Sequence, residues 1–181
     1  MLARYLTAAV VSLAITAPTV ALAQDSLQLF RAVQREVLQY PQFSIFDSVH
    51  ASIDDEGVVT LTGKVTMPYK RTEIARRVAE VRGASAVQNQ IEVLPVSSFD
   101  DELRFRIARA IYGNSNFWTY ASMANPPIHI IVERGRVTLE GVVNSEVDRM
   151  LARSIAGAFN AFSVTSRLKT DEEARAELER L

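Results

Sequence analysis

Gly57-Val58-Val59-Thr60-Leu61-Thr62-Gly63-Lys64-Val65 returns 78 positions later as Gly135-Arg136-Val137-Thr138-Leu139-Glu140-Gly141-Val142-Val143, with six of nine positions identical. Each copy alternates apolar and polar residues between two glycines, the pattern of a half-buried strand. Val59, Leu61 and Val65 face inward, with Thr60, Thr62 and Lys64 outward. The repeat extends on both sides. Upstream, Leu29, Val33 and Val37 match Leu103, Ile107 and Ile111; downstream, Ile74-Ala75, Val78-Ala79, Val87 and Ile91 match Leu151-Ala152, Ile155-Ala156, Val164 and Leu168. Two copies of about 70 residues are too few and too long for a stacked solenoid. They are two homologous modules.

Each module reads helix, strand, strand, helix, strand. The first helix is expected to open near Asp25 or Ser26, both good N-caps, and to stop before Pro41. Val49, Ala51 and Ile53 alternate as a strand, and Asp54-Asp55-Glu56-Gly57 turns the chain back. Thr66 and Pro68 begin the second helix, with Ile74, Val78 and Val81 as its buried stripe. Val87, Ile91 and Val93 form the last strand. In the second copy, Ser145 and Asp148 have capping-box spacing, and Glu133-Arg134-Gly135 makes a turn one residue shorter. Asp171 to Leu181, preceded by the Thr170/Glu173 box, reads as a closing helix on which Leu178 and Leu181 provide apolar contacts. The expected fold is α+β: two small αββαβ modules, each a three-stranded sheet packed by two helices, plus a short C-terminal helix. The boundaries are 24–95 for the first module, 99–169 for the second and 170–181 for the tail. The joint Leu94-Pro95-Val96-Ser97-Ser98 is too short for a free tether, so the modules are expected to dock.

Residues 1–23 have the form of an export signal. Arg4 precedes an apolar stretch from Leu6 to Leu22, and Ala21-Leu22-Ala23 is the small-x-small pattern of a signal peptidase site. At 17 residues with Pro18 near its end, the stretch is at the short limit for crossing a bilayer. The expectation is a periplasmic chain beginning at Gln24. There is no cysteine, so neither a disulfide nor a lipidated cysteine is available.

Helix, V-x-V, turn, G-x-V-T-L-x-G, A-x-x-V-A, G and V-x-N, in that order and twice, resembles the BON domain, named for bacterial osmotic-stress and nodulation proteins. Gly57 to Gly63, Ala75-Arg76-Arg77-Val78-Ala79, Gly83 and Val87-Gln88-Asn89 carry the likeness in copy one. Gly135 to Gly141, Ala152-Arg153-Ser154-Ile155-Ala156 and Val164 carry it in copy two, which has Asn160 and Ser166 where copy one has Gly83 and Asn89. The resemblance implies a periplasmic, non-enzymatic binding protein, associated with envelope integrity or osmotic stress and with phospholipid surfaces. It brings no catalytic residues and no cofactor.

The residues agree with a binding role. Lys and Arg number 20 against 21 Asp and Glu, a net charge of −1, so no basic field for nucleic acid exists. His50 and His129 are the sole histidines, without the companions of a metal site or a nucleophile-base pair. Alternation puts His129 on the outer, solvent side of its strand. No glycine loop for phosphate and no calcium-loop pattern occurs. The informative feature is the first helix of copy two. Opposite its core stripe it carries Phe105, Arg109 and Tyr112, where copy one has Arg31, Arg35 and Leu38. The next loop holds Trp118 and Tyr120, side chains suited to a headgroup boundary. Phe105, Arg109, Tyr112, Trp118 and Tyr120 are the candidate surface for a phospholipid or an envelope protein, with no small-molecule substrate implied. The competing occupant of that face is the first module itself. The alternative function is a periplasmic protein-interaction adaptor or chaperone-like module.

Overall fold

The structure is a computed structural model that describes the backbone of residues 19–178 and the side chains of 26–177. Residues 1–18, which contain most of the expected export signal, and 179–181, which contain Leu181, lie outside the described residues, as does the side chain of Leu178. The first module consists of α1 (Thr19–Leu38), β1 (Ser48–Ile53), β2 (Val58–Val65), α2 (Pro68–Ala79) and β3 (Ala86–Val93). The second has α3 (Ser98–Tyr112), a 3-10 turn (Ser115–Phe117), α4 (Trp118–Ala121), β4 (Ile128–Glu133), β5 (Arg136–Val143), α5 (Glu146–Gly157) and β6 (Ser163–Thr170); α6 (Asp171–Leu178) follows. Among these elements the expected αββαβ order appears twice. The addition is the 3-10 turn and α4, inserted before β4.

Each sheet is ordered with its middle strand at the centre. β2 pairs antiparallel with β1 and parallel with β3; β5 does the same with β4 and β6. The hairpin needs only a tight turn, whereas the parallel pair needs a crossover, which α2 and α5 supply. Both helices of a module cover one sheet face. Val33, Val59, Leu61, Val65, Ile74 and Val78 close the first core; Ile107, Ile130, Leu139, Val143, Ala152 and Ala156 close the second.

Sequence and structure differ at two boundaries. The chain is already helical at Thr19, the first described residue, upstream of the expected start near Asp25. Val20-Ala21-Leu22-Ala23 contains no glycine or proline, so nothing interrupts helical propagation upstream of the cap residues. The step from an offset of 78 to one of 77 lies after the second helix, not before it. α2 and α5 correspond at the same 78-residue offset as β2 and β5, so Ile74 is matched by Ala152 and Val78 by Ala156, all fully buried. The missing residue falls between α5 and β6, where a connection absorbs it without moving a core side chain.

Gly63 and Gly141 are demanded by packing as much as by conformation. At φ +117 and +121 they sit where a Cβ would meet the Ser48 carbonyl oxygen at 2.2 Å and that of Pro127 at 1.8 Å. Those contacts are backbone, so no rotamer relieves them. The repeated glycine that closes the decisive stretch of sequence is a close-approach site between hairpin strands. The capping expectations also hold: Ser145 Oγ accepts from the Asp148 amide, and Thr170 and Glu173 exchange bonds at the start of α6. Thr66, by contrast, is not the cap of α2. Met67 occupies that position without a side-chain bond, because Thr66 is engaged by Asp47.

Candidate functional site

The modules dock through the outer side of the second sheet and the segment leading into β1. The Ile130 amide donates to the Ile45 carbonyl at 2.7 Å, so residues before β1 run along the free edge of β4. His129 Nδ1 lies 2.6 Å from the Asp47 carbonyl oxygen. A carbonyl only accepts, so Nδ1 carries the proton. His129 is therefore an interface residue, not the solvent-facing histidine read from alternation, and burial pushes its pKa down. Glu140, also on the outer face of β5, accepts from Ser48 Oγ and meets His50 Nε2 at 3.0 Å and Arg167 at 3.2 Å. The hydrogen bond with His50 leads the causes that hold its carboxyl down at about 2, with Ser48 and Arg167 contributing against desolvation. Lys64 pairs with Glu133 across the same junction. The two histidines occupy equivalent places, since Val49 opposes Gly63 as Ile128 opposes Gly141.

The free edge of β4 is covered by side chains of α3 as well as by the docked first module, a protection that edge strands need. Tyr112 Oη donates to the Ile128 carbonyl at 2.6 Å and accepts from its amide at 3.0 Å. Ile45 takes the Ile130 amide, and Arg104 donates to the Val132 carbonyl.

The five candidate surface residues thus separate into two groups. Phe105 is 60% exposed although its ring stands edge-on to Phe46 of the first module, centroids 5.1 Å apart. Arg109, one turn further along α3, is exposed and has no ion-pair partner among the described residues. Trp118 is 74% exposed at the start of α4. Tyr112 and Tyr120 are not on that surface. Tyr112 is packed against the second core, and desolvation raises the pKa of its hydroxyl. Tyr120 is 2% exposed; its hydroxyl donates to Asp148 and accepts from the Asn144 amide, both at 2.7 Å. Burial pushes that hydroxyl up to about 12. Two residues along the helix, Trp118 and Tyr120 point in different directions because α4 is a single turn with one side against the core.

Tyr120 has a counterpart that sequence matching misses. Thr66 and Asn144 are equivalent, and in the first module the Thr66 amide donates to Asp47 at 2.8 Å. Asp47 is fully buried and pairs with the buried Lys70 at 2.6 Å. Desolvation opposes ionisation of Asp47, but the bonds from Lys70, Thr66 and Ser44 outweigh it and lower its pKa. The two modules satisfy the same backbone donor with different chemistry, an ion pair in one and a phenol in the other. Also unanticipated are Phe99 and Phe162, 53% and 83% exposed, flanking Gly135 at the tip of the second hairpin. Copy one has Asp25 and Ser85 at those positions, a polar-to-aromatic change present in the sequence.

Two docked αββαβ modules, whose distinctive side chains are exposed rings and interface hydrogen bonds, define a tandem α+β module protein. No cluster of three metal-ligating side chains occurs among the described residues. The BON domain family model matches residues 26–95 and 100–170, and the chain belongs to that family, with two BON domains in tandem. No curated protein matches the chain. Among solved structures it is similar to CdsD, a structural protein of the type III secretion system of Chlamydia trachomatis, at 13% identity and TM-score 0.31, covering 84% of this chain and 97% of that one. A structure of the C-terminal domain of CdsD is similar at 12% identity and TM-score 0.31, covering 78% and 96%. The BON domain is a binding and interaction module.

Proposed function

We propose that this is an exported, periplasmic binding protein that associates with phospholipid surfaces of the cell envelope, in the setting of envelope integrity or osmotic stress, through the outer face of α3 and the Trp118 turn. The observation that supports this reading is the exposure of Trp118 and Phe105 on the second module, with Arg109, unpaired among the described residues, one helical turn from Phe105. An indole with an apolar body and a polar N–H suits the headgroup boundary. An arginine near an anionic surface adds about 1 kcal/mol. With few such groups, attachment is weak, reversible and weakened by salt.

Trp118 is the sole tryptophan, so its emission reports on its own environment. Phosphatidylglycerol vesicles should shift that emission to the blue and carry the protein into the pellet, and phosphatidylcholine vesicles should do so less. Trp118→Ala and Phe105→Ala should each reduce sedimentation. Absence of a shift with anionic vesicles, or full sedimentation of both variants, would overturn the proposal. The exposed Phe99 and Phe162 favour a second reading, an adaptor for an envelope protein; substituting both with serine would then abolish partner capture while leaving vesicle binding intact.

A further inference from the structure

A cleft of about 460 Å³ opens between the outer faces of the two sheets, within the usual size range of small-molecule sites. Its two carboxylates are already engaged. Glu133 holds Lys64, which Glu92 outside the cleft also meets at 3.4 Å, and Glu140 holds Arg167 and His50. Arg134 and Arg136 line the same cleft, and neither guanidinium has a hydrogen-bond or ion-pair partner among the described residues. The cleft thus carries two positive charges that its own acids do not neutralise, in a chain whose net charge is −1.

That surplus belongs to the second module alone. Where it has Arg134, Arg136 and Arg167, the first has the acidic turn Asp55-Glu56, then Val58 and Gln90. The position of Arg134 is also structurally enforced. Its φ is +52, a left-handed conformation that costs a non-glycine residue about 1 kcal/mol. The buried Asp100 carboxylate holds it there by accepting from the amides of Arg134 and Gly135, each at 2.8 Å.

We propose that the cleft binds a small organic phosphate monoester. Each guanidinium presents N–H donors in a planar fork that matches phosphate oxygens, and a dianion balances the two unpaired charges. The volume exceeds that of phosphate alone, and Thr62, Thr138 and Ile131 provide hydroxyl and apolar walls for a ring-sized alcohol portion. The site lies apart from the outer face of α3 and does not depend on it.

The test is an amide chemical-shift titration of the purified protein with glucose 6-phosphate, with glucose and inorganic phosphate as controls. The expected result is saturable shifts at Thr62, Arg134, Gly135, Arg136 and Thr138, weaker shifts at the same amides with inorganic phosphate, and none with glucose. Arg134→Asn with Arg136→Gln should weaken binding by about 10-fold or more, since each tenfold corresponds to about 1.4 kcal/mol. Asparagine tolerates positive φ, so this pair preserves the turn, and an unchanged melting temperature verifies it. Trp118→Ala should titrate as the parent does. Phosphatidic acid vesicles that displace glucose 6-phosphate would assign the monoester to a lipid headgroup, and vesicles that fail to displace it would assign it to a soluble ester; either supports the site. Shifts absent with glucose 6-phosphate, reproduced by glucose, or undiminished in the double variant would overturn it.

Discussion

Exchanging Asp47 for asparagine alters little volume and should still remove a large part of the first module's stability. Its carboxylate accepts from Lys70 Nζ at 2.6 Å, the Thr66 amide at 2.8 Å, Thr66 Oγ1 at 2.9 Å, the Ser44 amide at 2.9 Å and Ser44 Oγ at 2.7 Å. Asparagine keeps one acceptor for Thr66 and presents an NH₂ group to Lys70 and Ser44. Among the described residues, Lys70 Nζ then keeps only Thr66 Oγ1, at 2.8 Å, as an acceptor for its buried charge. Removing one partner of a buried pair costs about 3–5 kcal/mol, against a total of about 5–15 kcal/mol for a domain. Lys70→Met leaves the carboxylate with its four other donors and should cost about 1–3 kcal/mol. The double variant should lose less than the two singles added together, by about 2 kcal/mol, because methionine deletes the charge that asparagine strands. Urea unfolding followed by circular dichroism measures all three. A loss under about 1 kcal/mol for Asp47→Asn, or strict additivity, would refute the claim that the pair anchors this module.

Glu140 has its pKa lowered by folding, so its contribution is complete above the unfolded carboxylate value near 4.5 and disappears as pH falls toward 2; Glu140→Gln should flatten the acid limb of the stability curve by up to about 3 kcal/mol. The pKa of His129 is also lowered by folding, so stability is present above about 6.5 and declines below it as the buried ring gains a proton, and His129→Gln should lessen that decline in melting-temperature profiles. Gly141→Ala places Cβ 1.8 Å from a backbone oxygen and should cost more than about 3 kcal/mol, whereas Gly135→Ala meets the movable Phe162 ring and should cost about 1 kcal/mol. Tyr120→Phe strands the Asn144 amide and should cost about 1–3 kcal/mol, while Trp118→Ala should change unfolding free energy by under about 0.5 kcal/mol.

Much of the module architecture is written in short-range signals. The alternation in Val59, Leu61 and Val65, the stripe of Ile74 and Val78, and the Ser145 cap each involve residues a few positions apart, where geometry follows from strand or helix period. The doubling of the pattern made the two sheets visible without any contact information. The aromatic face was readable only in part. A ring that follows a helix by a few residues points outward or inward according to how the loop turns, so Trp118 and Tyr120 carried equal claims until the single turn of α4 separated them. The helical angle of Tyr112 points it to the outer face, yet its length lets the hydroxyl reach back to Ile128, a pairing no periodicity describes.

From the chain alone follow two like modules, their strand and helix order, the inward stripes and the excess of aromatic residues on the second copy, because these depend on local period and on comparing one copy with the other. The docked arrangement decided the rest. It covered His129 with the first module, buried Glu140 on the outer side of a sheet and left Arg134 and Arg136 facing a cleft. Those outcomes depend on bonds such as Ser48 to Glu140, between residues 92 positions apart, and sequence pattern carries no information about which distant faces meet.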